Sequence, residues 1–132
     1  MGGWSTGGGS GSSSTGTKST QLTRATDQSA SGLMVWTAED SNKTLTPTIW
    51  DGASVFTITT AGWYTASFNA YASSTARPYL TLGSLTGYGT AAAVDTLTIS
   101  GYLAVNDTVS CGWWTGSGTA LGGSNQLSLR KD

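Results

Sequence analysis

The sequence contains no histidine, one cysteine, two prolines and few charged residues. Without histidine, the commonest general base and the imidazole ligands of metal ions are missing. This excludes Ser-His-Asp and Cys-His catalytic arrangements. A single cysteine cannot form an intrachain disulfide. Cys111, between Ser110 and Gly112 in a predicted strand, is interpreted as a small apolar filler of the core rather than a reactive thiol.

Charge is scarce and nearly balanced, with 6 Lys and Arg against 7 Asp and Glu among 132 residues. No basic surface is therefore expected to gather phosphate groups, and nucleic acid is not an expected partner. No apolar run reaches the roughly 18 residues needed to span a bilayer, and the N-terminus lacks the basic and apolar regions of a signal peptide. We expect no membrane partner.

The acidic residues are scattered among predicted turns, and only Glu39 and Asp40 are adjacent. "EDSN" at 39–42 begins like a calcium loop, but the glycine and the final bidentate glutamate of such a loop are missing. A solvated turn is the better interpretation. We predict no enzyme, no cofactor, no metal site and no catalytic residues.

The chain opens with "MGGWSTGGGSGSSSTGTKST", which is almost wholly Gly, Ser and Thr apart from Trp4. Such a composition cannot bury enough side chain to order itself alone. We predict an N-terminal arm over residues 1–20 and one folded domain over residues 21–132. The exception, Trp4, is interpreted as an anchor that inserts into a partner rather than as a stray residue in a disordered leader.

From residue 21 onward, short runs rich in Thr, Val, Ile, Leu and aromatics alternate with Gly, Asn and Asp, without helical periodicity. This pattern predicts an all-β domain. The predicted strands are 33–38, 45–50, 54–59, 63–72, 77–82, 92–104, 108–115 and 126–130, with turns at "DG" 51, "AG" 61, "ND" 106 and "GG" 122.

Aromatic residues fall on both faces of predicted strands. In "GWYTASFNAY", Tyr64 and Phe68 share one face, while Trp63 and Tyr71 share the other. In "SCGWWTG", Trp113 and Trp114 should point to opposite faces, so one of them should face a ligand or a partner subunit. The alternative is a bulge that tucks both rings inside. Surplus aromatic surface suits either sugar stacking or a protein interface.

The order of "QLTRATDQSASGLMVWTAED", "WDGASVFTITTAGWYTASFNAY", "YLAVNDTVSCGWW" and "NQLSLRKD" resembles the C1q/TNF-like jelly-roll domain of bacteriophage virion proteins. The resemblance covers about residues 20–132. It implies an antiparallel β-sandwich whose core includes Phe56, Ile58, Tyr64, Phe68, Leu103, Val105, Val109, Leu127 and Leu129. No acidic calcium cluster or collagen stalk is evident, so these features of animal C1q domains do not carry over.

The family also implies a homotrimer. Its expected trimer or partner interface contains Trp63, Tyr71, Trp113 and Trp114. Burial in such an interface would explain why strands carry rings on both faces.

In phages this fold occurs in capsid decoration (cement) proteins and in tail-fibre or minor tail proteins. The domain follows about twenty residues of arm, without heptads or shaft repeats, which favours a decoration protein on the capsid surface. The arm would bind the major capsid protein, beginning with Gly2, Gly3, Trp4, Ser5 and Thr6. The alternative is a receptor-binding module at a tail-fibre tip that recognises a host surface glycan or protein.

Overall fold

The computed structural model describes residues 18–46, 49–90, 92–116 and 118–132, in which strands are joined by turns and no helix occurs. The all-β prediction is confirmed. No helix able to cross a membrane is found in this part of the chain. The strands are β1 Lys18–Thr23, β2 Gln28–Ser29, β3 Gly32–Leu33, β4 Ala38–Glu39, β5 Ile49–Trp50, β6 Phe56–Thr57, β7 Gly62–Leu82, β8 Leu85–Tyr88, β9 Ala92–Leu103, β10 Thr108–Gly116, β11 Thr119–Ala120 and β12 Gln126–Lys131.

The strands form one continuous hydrogen-bonded network, in which the 21-residue strand β7 joins two antiparallel sheets. Its N-terminal half pairs with β12 and β9, which gives a first sheet in the order β4-β1-β12-β7-β9. Its C-terminal half pairs with β10 and β8, which gives a second sheet in the order β5-β6-β10-β7-β8. The predicted strands 63–72 and 77–82 are therefore one continuous strand that passes from one sheet to the other.

The core lies between the inward faces of the two sheets. Tyr64 and Phe68 project into it from the first sheet, and Leu80 from the second, each at most 2% exposed. Phe68 makes edge-to-face contacts with the Trp36 ring at 6.2 Å and the Trp113 ring at 5.7 Å between centroids. The alternation predicted for "GWYTASFNAY" is thus present, with the Tyr64 side buried.

All but one of the predicted core residues are buried: Phe56, Ile58, Tyr64, Phe68, Leu103, Val109, Leu127 and Leu129. The prediction was wrong for Val105, which is 53% exposed. Val105 lies at a central position of a turn that the Asp107 N–H closes on the Ala104 carbonyl at 3.1 Å. The next residue, Asn106, has a φ of 77°, so the strand alternation stops before Val105.

Residues 33–38 do not form the predicted strand. Only the two end residues of this segment belong to strands, Leu33 to β3 and Ala38 to β4. Their backbone N–H groups bond to separate parts of the chain: Met34 to Cys111, Trp36 to Ala53, and Thr37 to Thr23. Met34 and Trp36 are buried. The backbone hydrogen bonds of this segment are made with several elements instead of one neighbouring strand. The segment therefore fills the core without pairing as a strand.

Strand β1 begins at Lys18, so residues 18–20 of the predicted arm pair with β12. The remainder of the arm lies outside the described residues.

Candidate functional site

One outward surface, exposed to solvent except at the buried Thr65, consists of the outward side chains of β7 and β9, and we call it the first-sheet face. It contains Trp63, Thr65, Ser67, Asn69, Tyr71, Val94, Thr96, Thr98, Ser100 and Tyr102. At one end the Trp63 and Tyr102 rings contact edge-to-face at 6.0 Å, and these residues are 60% and 59% exposed. At the other end Tyr71 lies opposite Val94. None of the ten side chains is charged, but Arg130 on β12 lies opposite Thr65, and the Thr65 hydroxyl donates to the Asp132 carboxylate at 3.4 Å.

The middle of the first-sheet face is polar, but its groups bond to one another across the strands. The Thr65 and Ser100 hydroxyl oxygens are 2.8 Å apart, and those of Ser67 and Thr98 are 3.0 Å apart. These hydroxyls already have partners. Covering them with another surface therefore leaves few hydrogen-bonding groups without a partner.

Strand β1 begins beside the apolar end of this face. Lys18 pairs with Lys131, and Lys131 pairs with Tyr64 on β7. The next backbone N–H, of Asp132, donates to the Trp63 carbonyl at 2.9 Å. The first residue of β1 therefore lies at the same end of the first sheet as Trp63.

The two adjacent tryptophans of β10 point in opposite directions. Trp113 is 3% exposed, and its indole N–H donates to the Met34 sulfur at 3.2 Å. Trp114 is 59% exposed. The register between β10 and β7 shifts between Trp113 and Thr115, so a bulge is present but does not bring both rings inside. Trp113, predicted as an interface residue, is therefore a core residue, because its inward position places it against Phe68.

A second surface lies on the outward side of the second sheet, and we call it the aromatic groove. Its lining residues include Gly32, Tyr79, Thr81, Thr86, Tyr88 and Trp114, and its volume is about 350 Å³. Tyr79 lies opposite Tyr88 with ring centroids 6.4 Å apart. The Tyr88 and Trp114 rings meet at 5.2 Å and an angle of 74°, which makes an aromatic corner open to solvent.

Arg77 stands at the rim of this corner. Its guanidinium carbon lies 5.4 Å from the centre of the Tyr88 ring, and its Nε donates to the Gly89 carbonyl at 3.0 Å. Within the described ranges, no carboxylate forms an ion pair with Arg77. Arg77, Tyr88 and Trp114 also line an adjoining depression of about 180 Å³. The corner therefore combines ring surface with a positive charge that forms no ion pair with any described residue, although the Asp95 carboxylate lies beside Gly89.

Two ionisable groups near the groove stay protonated near pH 7. Complete burial raises the pKa of the Cys111 thiol well above its usual range, which keeps it protonated. Burial, together with Cys111 and Tyr88, raises the pKa of Tyr79, so its phenol is neutral near pH 7. The described residues contain no group of three His, Cys, Asp or Glu side chains placed to hold a metal ion.

The structure separates the residues that the sequence assigned to one interface. Trp63 and Tyr71 lie on the first-sheet face, whereas Trp114 lies in the aromatic groove. The predicted capsid-binding residues Gly2, Gly3, Trp4, Ser5 and Thr6 lie outside the part of the chain that the structure describes.

Sequence analysis missed the contribution of Tyr79, Tyr88 and Arg77 to a site. One signal was available, the "LGSL" hairpin between β7 and β8. Gly83 has a φ of 62°, which a glycine at the first central position of a two-residue turn readily adopts. With Leu82 opposite Leu85, that turn places Tyr79 opposite Tyr88.

Comparisons with known proteins identify the fold. No model of a known protein family matches the sequence, and neither does any curated protein. Among solved structures, GITRL from bushbaby has a TM-score of 0.63 and 9% identity, covering 89% of this chain and 95% of that one. The globular domain of zebrafish complement 1qA has a TM-score of 0.59 and 14% identity, covering 86% and 94%. Eiger TNF from S. frugiperda has a TM-score of 0.59 and 12% identity, covering 88% and 92%.

At this level of identity the likeness shows the fold alone. The domain is an all-β jelly roll of the C1q/TNF type, as the resemblance in sequence implied. The phage origin stays a prediction.

Proposed function

We propose that this protein is a non-enzymatic structural module of a phage virion that assembles as a homotrimer through the first-sheet face and decorates the capsid through its N-terminal arm. The observation that carries the assembly is the first-sheet face, which has aromatic or apolar side chains at both ends and no charged side chain among its β7 and β9 residues. The charges that border it, Arg130 and Asp132, form an ion pair with each other at 3.0 Å. The absence of histidine from the sequence supports a role without acid-base chemistry.

The first-sheet face has the composition of a protein interface. Exposed Trp63 and Tyr102 supply rigid ring surface of the kind that dominates binding energy at interfaces. Interface centres are depleted of charge, and the hydroxyl pairs between the apolar ends need no new partners when they are buried. The C1q/TNF-like fold supports a stoichiometry of three, because trimers are typical of these domains.

The position of β1 supports the proposed use of the arm. Lys18 lies at the Trp63 end of the first sheet, so three subunits joined through that face would extend their arms from one end of the trimer. Three weak attachments on one rigid head bind far more tightly than one, provided that all three can reach the shell together.

Light scattering during size-exclusion chromatography tests the assembly. The wild-type chain of 13.5 kDa is expected to elute at three times that mass. Trp63→Arg should elute as a monomer, because it places a charge in the proposed interface. Trp114→Arg is the matched control, being equally exposed on the other sheet, and should stay trimeric. A monomeric wild-type protein at micromolar concentration would contradict the assembly.

Deletion of residues 1–17 tests the arm without removing any residue of β1. The shortened protein should keep the trimeric mass but no longer sediment with purified capsids that lack the protein. Trp4→Ala in the full chain should weaken sedimentation without abolishing it. Undiminished capsid binding by the shortened protein would overturn the proposed role of the arm.

The aromatic groove favours the alternative function, a receptor-binding module at a tail-fibre tip. An electron cryo-microscopy map of the intact particle distinguishes the two locations. Density for the trimer on the shell supports decoration, and density at the tail supports receptor binding.

A further inference from the structure

We propose that the aromatic groove is a binding site for a carbohydrate that carries a carboxylate, such as an oligosaccharide containing a uronic acid. The sugar ring would stack in the corner between Tyr88 and Trp114, and its carboxylate would pair with Arg77. This inference goes beyond the proposed function, because it requires neither the capsid nor the trimer.

The geometry of the corner suits a flat ligand with apolar C–H surface. Trp114 is 59% exposed and Tyr88 is 46% exposed, and their rings meet nearly at right angles. A pyranose can therefore lie against the face of one ring while its edge contacts the other. The groove of about 350 Å³ is at the lower end of the range for small-ligand sites, which suits one or two sugar units rather than a protein segment.

The positive charge of Arg77 at the rim favours acidic sugars over neutral ones. The Nε of Arg77 is held by the Gly89 carbonyl, which fixes the guanidinium beside Tyr88. No carboxylate in the described part of the chain pairs with this group. A guanidinium held in place matches a carboxylate in shape as well as in charge, so an acidic sugar gains a contact that a neutral one lacks.

The polar lining offers hydroxyl groups at modest desolvation cost. The Thr81 and Thr86 hydroxyl oxygens lie 3.2 Å apart, so that one hydroxyl donates to the other. Each keeps further acceptor capacity for a sugar hydroxyl. The neutral Tyr79 phenol can donate as well as accept. These groups fix the orientation of a ligand that the rings and Arg77 hold.

A glycan array tests the proposal with the full-length protein. The array carries pairs of oligosaccharides that differ only in a terminal sugar, glucuronate against glucose and galacturonate against galactose. Wild type is expected to bind at least one acidic member about 10-fold more tightly than its neutral counterpart. Trp114→Ala should weaken that binding at least about 10-fold. Arg77→Gln should reduce the acidic preference to less than about 2-fold, because the charge is lost.

Val105→Ala is the control, since this residue is also exposed but lies in a turn outside the groove lining. It should bind like wild type, and circular dichroism should show all variants folded. Absence of binding to every acidic oligosaccharide, equal binding to both members of each pair, or unchanged binding by Trp114→Ala would overturn the proposal. Because the array contains no capsid, failure here leaves the capsid-binding experiment unaffected.

Discussion

At the scale of single residues, the adjacent pair Trp113 and Trp114 shows how one strand can serve both the core and the surface. Trp113 contacts Phe68 and Met34 in the core, while Trp114 contacts Tyr88 in the groove. The alternation of a strand separates two identical side chains into different environments. Substitutions at the two positions should therefore differ sharply in effect.

Trp113→Ala should lower the free energy of unfolding by about 3–5 kcal/mol, because it leaves a cavity beside Phe68. Trp114→Ala should change it by less than about 0.5 kcal/mol, as is usual for exposed positions. Urea denaturation followed by circular dichroism measures both values. Equal losses at the two positions would contradict the orientation of the strand.

Cys111 should be chemically inert in the folded protein. It is fully buried, and its pKa is raised by that burial, so little thiolate forms at pH 8. A chromogenic disulfide reagent should react with less than about 10% of the protein in the native state and fully in guanidinium chloride. Rapid reaction of the native protein would show that the β10 environment opens.

Asp51 should contribute a small dependence of stability on pH. Its slight burial opposes ionisation, but hydrogen bonds from the Val55 and Ala53 backbone N–H groups prevail and lower its pKa below the ordinary 3.8. This stabilisation is present above the unfolded pKa and is lost as the pH falls through the lower folded value. Asp51→Asn should therefore show a shallower loss of stability below about pH 4 in thermal unfolding than wild type.

At the scale of elements, β3 and β10 meet so closely that only glycine fits at Gly112. A Cβ there would clash with the Gly32 carbonyl oxygen and lie 2.8 Å from the Leu33 Cα. Both are backbone atoms, which cannot rotate away. The buried segment that follows β3 is held against β10 by this contact.

Gly112→Ala should destabilise the protein by about 1–3 kcal/mol through this overlap. Gly87→Ala on β8 is the matched control, since its Cβ would meet the end of the Ile99 side chain, which can move. The control should cost less than Gly112→Ala in the same thermal or urea experiment. A smaller loss for Gly112→Ala than for Gly87→Ala would contradict the close approach of β3.

At the scale of the whole molecule, the two outward faces have different proposed roles, association for one and ligand binding for the other. The first-sheet face is uncharged and carries self-paired hydroxyls, which suits association between identical chains. The aromatic groove lies on the opposite sheet, so a trimer built on the first sheet leaves it accessible.

If the trimer stabilises its subunits, thermal stability should depend on concentration. The midpoint of unfolding for wild type should rise by several degrees between about 1 and 100 μM, because association shifts the folding equilibrium. Differential scanning calorimetry should show no such rise for Trp63→Arg. An unchanging midpoint for wild type would argue against a trimer coupled to folding.

Prediction from sequence succeeded where period and turn chemistry decide local structure. The alternation put Tyr64 and Phe68 on one face, and the resemblance assigned that face to the core, where both lie. The predicted "ND" turn is present, with Asn106 in the left-handed conformation that asparagine tolerates. It failed for Val105, where the turn begins before the apolar pattern ends. It missed the buried Trp36, because the backbone hydrogen bonds of residues 33–38 are made with separate elements and not with one paired strand.

The sequence by itself determined the all-β class, the lack of a disulfide partner for Cys111 and the scarcity of charge. These properties follow directly from composition and from the alternation of apolar and polar residues. Only the tertiary structure decided which aromatic rings share a surface. Tyr88 and Trp114 come together through hydrogen bonds of β8 and β10 to opposite edges of β7, and Trp63 meets Tyr102 across β7 and β9. Pairing between strands distant along the chain depends on the whole core, which no local pattern specifies.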